Sequence, residues 1–212
     1  MNSNTHLPSG GLYLITPDDA DSESFLARVL PVLSCQIAVL QYRNKLANAG
    51  QMREQASALL LHCRKYGIVF IINDDIALAN ELSADGVHLG EHDGDLASAR
   101  QLLGTHAIIG VSCYDSLALA EKAAAQGANY IAFGAIYPSA TKPNARNANL
   151  ELFSQAAALD LPMVAIGGIT PDNAKQTLDT GAGFLAVIGA IFDAADPANE
   201  VKKFISCFKH IP

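Results

Sequence analysis

Short apolar runs alternate with longer stretches of helical period along the whole chain. The runs that read as strands are Leu12–Thr16, Ile37–Gln41, Val69–Ile72, Gly86–Leu89, Ala107–Val111, Tyr130–Phe133, Met163–Ile166 and Phe184–Ile188. Between them, i, i+3, i+4 spacing predicts helices over Ser22–Leu33, Gln51–Tyr66, Ile76–Leu82, Leu96–Leu103, Ser116–Gln126, Leu150–Ala158 and Pro171–Thr180, with a last one near Pro197–Phe208. Pro171 follows Thr170 as an N1 proline follows an N-cap, and Gly67, Gly127 and Gly181 stand where helices should stop. Eight strands, each followed by a helix, make the (β/α)8 TIM-barrel pattern of the α/β class; an open doubly wound sheet shares the same alternation. With no Pro/Ser-rich linker or break in composition, residues 1–212 read as one domain and residues 1–10 as a flexible N-terminal tail.

Composition narrows the function classes. Half of the 212 residues are hydrophobic and 17% are charged, enough apolar material for a barrel and its helical jacket. The formal net charge is −7 and Lys/Arg residues form no run, which disfavours a nucleic-acid partner. An anionic small molecule would have to be captured by a few placed cations and backbone N–H groups. Cys35, Cys63, Cys113 and Cys207 are scattered without a C-x-x-C pair and read as reduced, buried thiols rather than a disulfide frame or zinc site. No signal-peptide pattern opens the chain and no apolar run reaches the roughly 18 residues of a membrane span, so the expectation is cytoplasmic.

In this barrel the chemistry sits at the carboxyl ends of the strands. Just past strand two come Gln41, Tyr42, Arg43, Asn44 and Lys45; past strand three, Asn73, Asp74 and Asp75; past strand four, Gly90, Glu91, His92 and Asp93. Strand five ends in Ser112, strand six runs into Gly134–Lys142, and strands seven and eight end in Gly167-Gly168 and Gly189. Gln41-x-Arg43-x-Lys45 in extended backbone would aim an amide, a guanidinium and an ammonium the same way, as a diphosphate requires; a salt-bridged loop would show the same residues. Asp74 and Asp93, on neighbouring strands, suit a Mg2+ ion that takes carboxylate, phosphate and water oxygens, while Asp74, Asp75, Asp93 and Asp95 are also placed to cap helices. We assign the metal to the Asp74/Asp93 pair and leave Asp75 as a cap. The glycines after strands seven and eight suit a backbone phosphate site and equally suit tight turns. The segment from Gly134 to about Asn149, with Ser139, Ala140, Thr141 and Lys142 between prolines, reads as an anion-binding lid. His88, inside a strand, reads as a packed core histidine, and no His is placed to activate Ser112 or Cys113 as a nucleophile.

The stretches LYLIT, QYRNK, INDDIALA, DGVHLGEHD, IIGVSCY, GANYIAFGAIYPSATKP, AIGGIT and LAVIGAIF, in this order and spacing, resemble the thiamine phosphate synthase (thiamine-phosphate pyrophosphorylase) family across almost the whole chain. The resemblance implies a transferase of thiamine biosynthesis. It would join 4-amino-2-methyl-5-(hydroxymethyl)pyrimidine diphosphate to 4-methyl-5-(2-hydroxyethyl)thiazole phosphate, giving thiamine phosphate and pyrophosphate. It further implies that Gln41, Tyr42, Arg43, Asn44, Lys45, Asn73, Ser112 and Lys142 contact the pyrimidine diphosphate, with Arg43, Lys45, Ser112 and Lys142 acting in catalysis. Asp74 and Asp93 would hold Mg2+, and Ser139, Ala140, Thr141, Gly168, Ile188 and Gly189 would surround the thiazole phosphate. Where the family often has Thr-x-Thr, Val-Ser and Gln-Glu, this chain has Ser139-x-Thr141, Ile188-Gly189 and Glu91-His92. Two other functions fit parts of the pattern: a thiazole tautomerase, which has no diphosphate to hold, and a non-catalytic phosphometabolite regulator, which needs neither Mg2+ nor the full cation set.

Overall fold

A computed structural model describes residues 6–91, 94–138 and 147–208. Eight strands close into a parallel barrel in sequence order: β1 (Gly11–Ile15), β2 (Val39–Tyr42), β3 (Val69–Asn73), β4 (Gly86–Leu89), β5 (Ile108–Tyr114), β6 (Tyr130–Gly134), β7 (Met163–Ile166) and β8 (Phe184–Val187). Closure by pairing of β8 with β1 excludes the open doubly wound sheet. The jacket is α1 (Ser22–Val29), α2 (Ala49–Tyr66), α3 (Ile76–Leu82), α4 (Leu96–Leu103), α5 (Leu117–Ala125), α6 (Glu151–Ala156), α7 (Pro171–Leu178), α8 (Gly189–Phe192) and α9 (Pro197–Phe208).

The strands are apolar at successive positions because both their faces are buried. Period two sorts them into two cores. Leu12, Leu14, Phe70 and Ile72 pack outward under the helices, while Tyr13, Ile15, Val69, Ile71, Tyr130 and Phe184 fill the barrel interior. The same alternation, carried one pleat further, brings Gln41, Asn73, His88 and Ser112 inward at the carboxyl ends.

Local departures from the sequence pattern have local causes. The helix expected over Ser22–Leu33 changes to a 3-10 turn at Leu30–Ser34, because Pro31 lacks the N–H that an α-helical bond there would need. The helix expected to reach Ala158 likewise tightens to a 3-10 turn over Ala157–Leu159. The short α8, directly after β8, was not anticipated. Asp75 and Asp95 are the helix caps, accepting hydrogen bonds from the Leu78 and Ser98 amides at 2.8 Å each. Gly67 ends α2 in left-handed backbone at φ 68°. Leu7, within the segment expected to be a tail, packs against the cluster inside the barrel; residues 1–5 lie outside the described residues. No described helix is long and apolar enough to cross a membrane.

Candidate active site

A cavity of about 430 Å3 opens at the carboxyl end of the barrel, and Gln41, Arg43, Asn73, Ser112 and Ile188 line it. These come from three strand ends, those of β2, β3 and β5, and the turn after β8, so closure of the barrel alone gathers residues that are far apart in sequence. Ile15, Ala132, Val164, Ile166 and Ala186 supply apolar wall, so the space suits a flat, largely apolar ring with a few polar edges.

The β2 end is held by a polar frame beneath it. Thr16 Oγ1 accepts from the Arg43 amide and donates to the Arg43 carbonyl, both at 2.8 Å. The Arg43 guanidinium reaches the Asp18 carboxylate at 2.9 and 3.1 Å, and Asp18 also accepts from the Lys45 amide at 2.6 Å. Asp18 is a cavity residue that the sequence pattern missed.

Three residues of the QYRNK stretch stand apart from the cavity lining. Tyr42 alternates outward into the core beneath α2, where its hydroxyl donates to Gln55 at 2.8 Å. Asn44 is buried and spends its amide on the Asp19 carbonyl and Gln55, at 2.7 and 3.0 Å. Lys45 lies in a turn with its side chain exposed, because extended backbone stops before it, and it does not line the cavity. Period two therefore aligns Gln41 with Arg43 and not with Lys45.

Asp74 follows β3 in left-handed backbone at φ 63°. Its amide donates to the His88 carbonyl at 2.9 Å, and the side-chain amide of Asn73 donates to its Oδ2 at 2.6 Å. These bonds fix a hard oxygen donor at the rim between β3 and β4, beside the cavity residue Asn73. No group of three or more His, Cys, Asp or Glu residues suited to a metal occurs among the described residues. Asp93 and His92, and Ser139, Ala140, Thr141 and Lys142, lie outside the described residues.

Gly167 lines the cavity, and both it and Gly168 have positive φ, at 100° and 62°. Their need for glycine comes from crowding. A Cβ on Gly167 would stand 2.5 Å from that of Ala135, and one on Gly168 would stand 2.5 Å from the Pro138 carbonyl oxygen. The stem of the β6 loop crosses them and is pinned by Ile136 N–H to Ile166, Tyr137 N–H to Gly167, and Ala148 N–H to Ala135, at 2.8 to 3.0 Å. The described stem is thus tied to β7, and residues 139–146 of the segment expected to form a lid lie outside the described residues. Ile188 precedes Gly189 and α8, whose first N–H groups have no partner within the helix.

His88 is packed, as expected, but it also lines the cavity. Its two ring nitrogens lie 2.9 Å from Tyr130 Oη and from Ser112 Oγ. Tyr13 and Tyr130 are further cavity residues with no local signal in the sequence. Cys113 faces the outer core, where burial pushes its thiol up to about 12, so it is inert as a nucleophile at neutral pH.

The thiamine monophosphate synthase family model matches residues 12–191. The chain belongs to this family. It is 53% identical over 199 residues to the thiamine-phosphate synthase of an Azoarcus species, covering 93% of this chain and 97% of that one. It is 51% identical to the enzyme of that name from Methylobacillus flagellatus, covering 95% and 96% of the two chains. The solved thiamine phosphate pyrophosphorylase from Pyrococcus furiosus superposes with a TM-score of 0.84 at 31% identity, over 95% of this chain and 96% of that one.

Proposed function

We propose that this chain condenses the aminopyrimidine diphosphate with the thiazole phosphate to give thiamine phosphate and pyrophosphate. The observation that carries the reading is the placing of Arg43 at the mouth of an apolar cavity edged by Gln41, Asn73 and Ser112. The pyrimidine ring fits between the apolar walls, with Gln41 and Ser112 at its polar edges. The diphosphate then lies toward Arg43, which exchanges its Asp18 contact for phosphate oxygens, joined by Lys45 and Lys142 as the family resemblance implies. Gly168, Ile188 and Gly189, with Ser139, Ala140 and Thr141, take the thiazole phosphate.

Asp74 and Asp93 would hold Mg2+; a carboxylate fixed beside Asn73 suits an ion that prefers hard oxygen ligands. When bound, the ion supplies neutralisation of the charge that builds on the leaving diphosphate. The chain's own groups do the rest. The cavity holds the pyrimidine so that its amino group can feed electrons to the methylene as pyrophosphate departs. The thiazole nitrogen, a neutral nucleophile, needs placement and no general base.

His88 in the cavity is the feature that a tautomerase reading would use, as its acid or base. Purified protein given both substrates with Mg2+, and then each alone, separates the readings. Pyrophosphate release that requires the pyrimidine diphosphate and Mg2+ supports the synthase. Isomerisation of a thiazole phosphate with no need for either would make it a tautomerase, and binding without turnover a regulator.

A further inference from the structure

Asp18 and Arg43 both line the cavity, so their ion pair stands at its mouth rather than behind its wall. The side chain of Arg43 is 16% exposed and that of Asp18 35%. Both contacts to the carboxylate leave from one guanidinium nitrogen, Nη1, which reaches Oδ1 at 3.1 Å and Oδ2 at 2.9 Å. The strongest arginine–carboxylate pairs use two nitrogens in a fork, one to each oxygen. This pair is therefore of a weaker, more readily exchanged kind. The carboxylate has a second anchor of its own, since Oδ1 accepts the Lys45 backbone N–H at 2.6 Å.

These bonds decide which partner can move. The Arg43 backbone is held on both sides by Thr16, whose buried hydroxyl accepts from its N–H and donates to its carbonyl, each at 2.8 Å. Asp18 lies two residues on from Thr16 and is tied to the turn after β2 through Lys45. The Arg43 side chain is then the part left to swing, while the carboxylate stays at the mouth with its charge. An anion that takes the guanidinium must first displace this carboxylate and afterwards lie beside it. Both effects raise the dissociation constant of the anion, the first by mass action and the second by like-charge repulsion.

We propose that Asp18 is an internal competitor for Arg43, a resident anion that fills the diphosphate seat between turnovers and keeps the departing pyrophosphate loosely held. The inference rests on the reading that a diphosphate is bound at Arg43. The two ligands of that seat differ in what else holds them. The substrate diphosphate is joined to a ring that the apolar walls grip, through Ile15, Val164, Ile166 and Ala186. Pyrophosphate, once its bond to the methylene has broken, has polar contacts alone. Return of Arg43 to Asp18 removes one of them, so the carboxylate helps to empty the site while burial of the ring still loads it. A carboxylate that merely steadied Arg43 for its ligand would act the other way, because its loss would leave the guanidinium misplaced and the anion weaker bound. The sign of the change on removing the charge separates a competitor from a support.

Asp18→Asn removes the charge and keeps an oxygen for the Lys45 N–H. Calorimetric titration of the whole protein with pyrophosphate and Mg2+ should give a Kd about threefold to tenfold lower in Asp18→Asn than in wild type. Thiazole phosphate, received at the β7 and β8 ends, should keep its Kd within about twofold. In an Arg43→Ala background the same substitution should tighten pyrophosphate by less, since no guanidinium is left to compete for. A pyrophosphate Kd unchanged or raised by Asp18→Asn overturns the proposal, as does an equal gain for thiazole phosphate or an equal gain without Arg43. If Asp18→Asn does not fold, NMR of the wild type decides. The Arg43 guanidinium signals, those missing from Arg43→Lys, should shift on adding pyrophosphate and Mg2+, while the Lys45 amide stays slow to exchange with solvent. Unmoved Arg43 signals, or a Lys45 amide released to exchange, would overturn it. Wild type that makes no thiamine phosphate would instead refute the proposed function.

Discussion

Gln55 is buried on α2 and holds the end of β2 from behind, so its replacement by leucine should disturb both stability and the placing of Arg43. Its Oε1 accepts from Tyr42 Oη at 2.8 Å and from Asn44 Nδ2 at 3.0 Å, and its amide donates to Ser22 Oγ at 2.9 Å. Leucine fills a similar volume without any of these bonds. The half-buried Ser22 can turn to water, and Asn44 keeps its bond to the Asp19 carbonyl. The hydroxyl of Tyr42, a residue only 1% exposed, has no water to turn to. An unsatisfied buried hydroxyl costs about 1–3 kcal/mol, and two further lost bonds add about 1 kcal/mol more after solvent compensation, so the expected loss is about 2–4 kcal/mol. Urea unfolding followed by circular dichroism should show the midpoint falling with an unchanged slope. Adding Tyr42→Phe should restore about 1–2 kcal/mol, because it removes the stranded hydroxyl. The folded Gln55→Leu enzyme should also show a KM for pyrimidine diphosphate raised by about tenfold, corresponding to about 1.4 kcal/mol of lost alignment at Arg43. A midpoint unchanged by Gln55→Leu, or a double variant no more stable than the single, would refute the view that this frame sets the β2 end.

Other expectations follow from the same geometry. Asp74→Asn should fold normally and need about tenfold or more Mg2+ for half-activation; an unchanged Mg2+ titration would remove Asp74 from the metal site. Gly168→Ala places a Cβ against the Pro138 carbonyl in left-handed backbone, so it should cost about 1–3 kcal/mol and raise KM for thiazole phosphate more than for pyrimidine diphosphate. Equal KM effects would show that the crossing of the β6 stem does not shape the thiazole side. With its thiol held up to about 12, Cys113 should be alkylated negligibly by iodoacetamide at pH 8, and rapid inactivation traced to it would contradict its burial.

The sequence pattern carried the barrel because parallel strands buried on both faces leave dense apolar runs, and β4, β7, α3, α4 and α9 have the bounds the pattern predicts. It missed α8, since Gly189–Phe192 is only one turn long and shows no helical period. Tyr42 and Asn44 were misplaced because QYRNK matched the family as a block, whereas the pleat sends alternate residues to opposite faces. Lys45 stands outside the cavity lining for a related reason, the strand having ended before it. The contact of the Tyr13 and Tyr130 hydroxyls, 2.8 Å apart, was illegible because the two are 117 residues apart and only closure of the barrel brings them together. Gly110 was its one trace in the sequence, a strand glycine over which the Tyr130 ring lies.

The central claim is that the cavity joins its two ligands and keeps water from the pyrimidine while it does so. The measurement that tests this most directly is the ratio of thiamine phosphate formed to pyrophosphate released by the purified protein, with both substrates and Mg2+ present. The account predicts one for one, with neither product formed when the pyrimidine diphosphate is omitted. Pyrophosphate accompanied by the free pyrimidine alcohol and no thiamine phosphate would contradict it.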